Sequence, residues 1–115
     1  MHRFAILVFG SALLIAAASA AADDNPGKAV FLAQKCNLCH SVEAAGIEAK
    51  TTSEKLKGPD LTLVTTRHEA EWIGKFVRRQ IQKDGADHKK EFKGTDEELQ
   101  ALVGWFKALE QAHKQ

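Results

Sequence analysis

CNLCH, residues 36–40, contains both cysteines of the 115-residue chain. Two thiols three positions apart, with a histidine directly after the second, suit four chemistries. They are a dithiol redox pair, half of a zinc site, a tight disulfide, or attachment of a group through both sulfurs. The segments on either side decide among them.

Upstream, residues 1–22 have the layout of a secretory signal. Arg3 supplies the positive start and an apolar run extends from Phe4 to about Ala17. Ala18-Ser19-Ala20 and Ala20-Ala21-Ala22 both fit the small-residue cleavage pattern. The run is barely long enough to span a bilayer and finishes in alanines, so a cleaved signal is expected over a retained anchor. Cleavage after Ala20 or Ala22 leaves a single domain, taken here as residues 23–115. It also removes Arg3, so the 16 Lys+Arg fall to 15 against 15 Asp+Glu and the remainder is formally neutral. A nucleic-acid binder would carry a basic excess. Met1, the only methionine, goes with the segment. The 93 residues that follow Ala22 bury a thin core and call for a staple such as a metal or cofactor. Two neighbouring cysteines exclude a multi-disulfide scaffold.

Downstream, the periodicity is helical. Asn25-Pro26 is a helix start, with Asn as cap and Pro in the first turn. Ala29, Val30, Phe31 and Ala33 carry that helix towards Cys36. Residues 41–56 fade into Gly, Thr, Ser and charges, a surface loop, and Gly58-Pro59-Asp60-Leu61 is a turn signal. Thr66-Arg67-His68-Glu69 has the form of a capping box. Behind it Trp72, Ile73, Phe76, Val77 and Ile81 recur at helical spacing, Arg78, Arg79, Gln82 and Lys83 take the outer face, and Asp84-Gly85 ends the helix. Residues 85–94 are polar apart from Phe92. Thr95-Asp96-Glu97-Glu98 is a second capping box, followed by a stripe of Leu99, Leu102, Val103, Phe106 and Leu109 with Trp105 on its flank. No run of strand period appears. The chain reads as all-α, with three main helices and long loops. Such loops are unusual in a small domain unless they wrap something.

These features narrow the four chemistries. Dithiol redox motifs sit in βαβ settings, and no strands are visible. Zinc needs four ligands, and neither His88 nor His113 forms a second ligand pair with another Cys or His at a usual spacing. A disulfide across three residues closes too small a loop to stabilise much. C-x-x-C-H as covalent c-type haem attachment remains. Cys36 and Cys39 would form thioethers to the haem vinyls, and His40 would be the axial ligand on one face.

With CNLCH at the end of an N-terminal helix, GPDL at 58–61 and a last helix opening FKGTDEELQALVGWF, the chain resembles a class I monohaem c-type cytochrome over nearly all of residues 23–115. The resemblance implies a cytochrome c fold whose helices and loops wrap one covalently held haem c. It implies crossed first and last helices, with Gly27 and Phe31 against Trp105 or Phe106. It implies that the Pro59 carbonyl accepts from the His40 ring N–H, orienting the imidazole and raising its basicity. It implies transient redox partners at the haem edge. It also agrees with export, because bacterial c-type haem is attached outside the cytoplasm, and so with a periplasmic location.

The family usually supplies a methionine from the loop before the last helix. Here that loop, GADHKKEFKG, has none. It offers His88, Lys89 and Lys90. Neutral imidazole is the better ligand near neutral pH, since a lysine must first lose a proton from a high pKa. His88 is therefore the expected second ligand to the iron, with His68, Lys89 or an open position as alternatives and His113 an exposed terminal residue. The imidazoles of His40 and His88 should then face one apolar slot wide enough for a porphyrin. Imidazole in place of a thioether lowers the reduction potential, other things equal. Trp72, Arg67, Lys55 and Lys57 are candidate propionate partners, but Trp72 is more simply a core residue and the three charges solvated surface side chains. Two functions follow. One is a periplasmic electron carrier, not an enzyme, with bis-histidine haem c cycling between Fe(III) and Fe(II). The other is a haem-based binder or sensor of nitric oxide or carbon monoxide, with the sixth position open or labile.

Overall fold

The computed structural model describes residues 25–114 and, apart from them, Gly10. The expected signal at residues 1–22 otherwise lies outside the described residues. Among the described residues four α-helices follow in order, α1 (Pro26–Ala33), α2 (Val64–Arg67), α3 (Ala70–Val77) and α4 (Asp96–His113), with 3-10 turns at Cys36–Leu38 and Glu43–Ala45. Among the described residues the extended pairings are two isolated bridges, Val42 with Ile47 and Lys83 with Ala86. The fold is all-α, and α2 is an addition to the three helices expected.

α1 and α4 begin as their sequences dictate. The Asn25 side chain accepts from the Gly27 N–H at 2.8 Å, and Pro26 opens the helix. Thr95 and Glu98 close a capping box, each side chain accepting the other's backbone N–H at 3.1 Å. Asp96, Glu97 and Glu98 place negative charge at the positive end of the α4 dipole.

The two helices then cross face to face. A methyl at Gly27 would collide with the Ala101 carbonyl and the Trp105 Cβ, so the bare backbone sets the closeness of approach. Phe31, with no exposed surface, enters the resulting seam and meets Trp105 and Phe106 edge-on at 5.5 and 6.3 Å. Burying such a ring stabilises by about 1.5–3 kcal/mol. Edge contacts of this kind add about 0.5–1.5 kcal/mol each. Trp105, expected on the flank of α4, is buried at 3% exposure because α1 lies over it.

The middle of the chain departs from the expected pattern. The capping box at Thr66 does not form. Thr66 lies inside α2, where its hydroxyl donates to the Leu63 carbonyl at 2.6 Å, and Glu69 caps α3 without a side-chain bond. α3 also stops at Val77, well before Asp84-Gly85. The Arg79 N–H donates to Phe76 O at 3.0 Å and the Gln80 N–H to Lys75 O at 2.8 Å. These bonds make a Schellman end, with Arg79 in the left-handed position (φ 59°) normally held by glycine. A side chain there costs about 1–2 kcal/mol. Ile81 therefore falls outside the helix. The Phe92 N–H instead returns to Val77 O at 2.8 Å, placing the ring of Phe92 in the core. Val42 is a second departure. It lies in the supposed surface loop yet is fully buried, because its N–H and C=O pair with Ile47 and curl the loop inward.

Candidate functional site

Lys35, in the left-handed region at φ 59°, ends α1 and turns the chain into Cys36–Leu38. The Cys39 and His40 N–H groups both return to the Cys36 carbonyl, at 3.2 and 3.0 Å. This single turn brings Cys36, Cys39 and His40 to one wall of a cavity of about 480 Å³. Trp72 and Phe76 of α3 form another wall, Leu102 and Phe106 of α4 lie at its base, and His88 enters from the loop beyond α3. The volume is that of a ligand site.

His40 is fixed from behind. Its Nδ1–H donates to the Pro59 carbonyl at 2.8 Å. A carbonyl only accepts, so Nδ1 carries the proton and Nε2 keeps its lone pair for a metal. Burial holds the His40 pKa below the ordinary histidine value, against the opposing pull of the Pro59 bond, and the ring is neutral at neutral pH. Gly58 covers the ring so closely that a methyl there would strike it.

The Pro59 carbonyl is itself positioned. The Gly58 N–H reaches Cys39 O at 2.8 Å and the Leu61 N–H reaches Ser41 O at 3.0 Å. Asp60 then staples the two segments, accepting from the Ser41 hydroxyl at 2.7 Å and from the Glu43 and Thr62 N–H groups at 2.9 Å. Partial burial resists ionisation of this carboxyl, but the bonds from Thr62, Ser41 and Glu43 outweigh it and hold its pKa below the ordinary value. The Arg67 guanidinium closes the same turn on the Asp60 carbonyl at 3.1 Å.

His88 is held by its loop. The turn before it pairs Lys83 with Ala86 through Asp84 (φ 53°) and Gly85 (φ 78°). The His88 Nδ1–H donates to the Lys90 carbonyl, leaving Nε2 with its lone pair, as at His40. Arg79 donates to the carbonyls of His88 and Lys89 at 2.9 and 2.6 Å. Lys90 ties the far end to Gln34 O at 2.7 Å, and Phe76 meets the imidazole edge-on at 5.2 Å.

The His40 and His88 rings are parallel to within 3°, with centroids 6.1 Å apart. A first-row metal bound by histidine lies about 2 Å from the nitrogen. Two such bonds and two half-rings add up to about this separation, so the spacing would accommodate one metal ion between the rings.

The other candidates are placed elsewhere or engaged otherwise. His68 lines the same cavity but stacks on Trp72, centroids 4.0 Å apart, with Phe76 next in the column. The Lys89 ammonium donates to the Lys55 carbonyl. His113 ends α4, exposed and away from the cavity. The two cysteines are free thiols. Burial pushes Cys36 up to about 11, against a dithiol redox role, which depends on a lowered thiol pKa. Among the described residues no group of three or more His, Cys, Asp or Glu converges on a metal position, which leaves the zinc alternative without a ligand set.

Three supporting residues escaped the sequence. In the sequence Asp60 reads only as part of a turn, Arg79 as the outer face of a helix and Lys90 as a loop lysine. All three bond to segments well separated along the chain, for which a sequence carries no local mark.

Among the described residues no helix is long and apolar enough to cross a membrane. No curated protein and no solved structure matches the chain. The family model for Cytochrome c matches residues 25–110, from the α1 cap almost to the end of α4. The chain is a member of the cytochrome c family, which binds haem c covalently and transfers electrons through it.

Proposed function

We propose that this chain is a periplasmic electron carrier whose single haem c is attached through Cys36 and Cys39 and ligated by His40 and His88. The observation that carries the ligation is the parallel imidazole pair, 6.1 Å apart across the cavity that also holds both thiols. When bound, the haem supplies a one-electron Fe(III)/Fe(II) couple. His40 presents a neutral ring whose basicity the Pro59 carbonyl raises. His88 presents the same face through its bond to Lys90. Val64, Ile73, Phe92 and Phe106, all buried core residues lining the cavity, exclude water from between them. Both rings stay where they are in either oxidation state, so electron gain and loss rearrange little. No acid, base or nucleophile is required, and redox partners need only reach the cavity mouth, where Leu38 and Leu56 are exposed. Imidazole instead of thioether sets the potential lower than a histidine–methionine pair would. The signal-like layout of residues 1–22 supports export.

Near-infrared magnetic circular dichroism of the ferric protein, matured with its haem, tests the ligand pair. A low-spin signal typical of two imidazoles is expected, with His88→Ala becoming high-spin or water-ligated. In the ferrous state, His88→Ala is expected to bind carbon monoxide much faster than wild type. Equal rates would remove His88 from the iron and favour a gas-binding role.

A further inference from the structure

Arg79 stands where the end of α3 would be better served by another residue. The Schellman turn needs backbone N–H groups and a left-handed residue, and glycine supplies both without strain. The arginine side chain contributes nothing to that cap. Among the described residues its guanidinium makes two bonds, to His88 O and Lys89 O, and no ion pair. Nearby carboxylates are engaged by other side chains, Asp84 by Lys83 at 3.8 Å and Asp87 by Gln82 at 3.3 Å. A fork with parallel donors holds two successive carbonyls in one orientation, as a single ammonium does not. The third carbonyl in line, that of Lys90, receives the His88 Nδ1–H. Three consecutive peptide groups are thus held, and the direction of the His88 ring follows from them.

Resting on the His40/His88 reading, we infer that Arg79 is the positioning residue that keeps His88 at the iron, and so makes a closed carrier of a site that would otherwise admit small gases. The backbone strain at Arg79 is then a consequence of placing a guanidinium beside the loop. Loss of the fork lets the loop swing out and raises the fraction of molecules with an open sixth position. Apparent affinity for an external ligand scales with that fraction.

Arg79→Gly is the decisive variant, because it removes the fork while relieving the left-handed strain. Global stability of the haem-loaded protein should hold or rise, and amide exchange should quicken in residues 84–91. Apparent affinity of the ferrous protein for carbon monoxide should rise about tenfold or more. Arg79→Lys, which keeps the charge without the fork, should fall between the two. Wild type with a bis-imidazole signal and an Arg79→Gly variant that binds carbon monoxide no better would overturn the role of Arg79 and leave the ligand pair standing. A gain matched by an equal loss of global stability would also overturn it, marking a merely structural residue. Wild type without the bis-imidazole signal would sink the ligand pair itself, and the role of Arg79 with it.

Discussion

The turn that carries His40 and the loop that carries His88 present similar faces to one cavity but are built differently. Around His40, backbone bonds join residues 39–41 to 58–61, Asp60 staples them, and Gly58 lies against the ring. Two backbone bonds and the Asp60 carboxylate, with Arg67 on the same turn, share this work. Around His88, residues 82–87 are exposed, and the loop is tied down chiefly by charged side chains, Arg79 and Lys90, reaching carbonyls. Both histidines use Nδ1–H on a carbonyl, so their chemistry at Nε2 is matched. Their permanence is not. A face cross-linked to a second segment by several bonds opens less readily than a loop held by a few exposed ties, which opens locally. Within the proposed ligand pair, His40 is the fixed member and His88 the adjustable one.

Paired substitutions should expose this difference. Gly58→Ala on the His40 side should have the largest effect, since its methyl meets the ring and both are held by backbone. A loss of about 3 kcal/mol is expected, at the upper end for overpacking, read from denaturant unfolding of the haem-loaded protein. A loss under about 1 kcal/mol would show that the His40 turn yields as readily as the loop.

Asp60 should come next and gives the comparison a pH axis. Its carboxyl pKa is held below the ordinary value, so its contribution is complete above that value and is lost as pH falls through the depressed one. Asp60→Asn keeps an acceptor but loses the charge, for about 1–2 kcal/mol near neutral pH. Its stability should then decline less steeply than wild type below about pH 4. Parallel curves through that range would take Asp60 out of the staple.

Gly85→Ala in the His88 loop should have the smallest effect. Nothing lies within 4 Å of the added methyl, but φ is 78°, so about 1 kcal/mol of local strain is expected. Amide exchange should report it in residues 83–88, with the bond from His40 to Pro59 untouched. A change at His40, seen as a shift in its imidazole resonances, would mean that the two sides are coupled and the contrast between them is false.

Much of this molecule was legible in the residues alone. CNLCH names its chemistry because attachment through two sulfurs and a neighbouring imidazole needs local spacing and little else. The starts of α1 and α4 were legible for the same reason, since Asn25, Pro26, Thr95 and Glu98 act within one turn of themselves. The absence of any methionine after Met1 singled out His88 by chemistry rather than by geometry. The box at Thr66 misled because the same residues can cap a helix or lie within a preceding one, and packing chose the second. The end of α3 misled because an arginine took a glycine position, a conformation that local preference disfavours and only contacts elsewhere sustain. Trp105 was buried by α1, far away in sequence, and Val42 by a loop that pairs back on Ile47. The staple at Asp60, the fork at Arg79 and the parallel approach of two rings 48 positions apart belong to that second class. Local propensity and cofactor spacing are properties of neighbours along the chain, so the sequence alone determined them. Which carbonyl meets which donor across the cavity depends on how the loops close over it, and only the tertiary structure decided that.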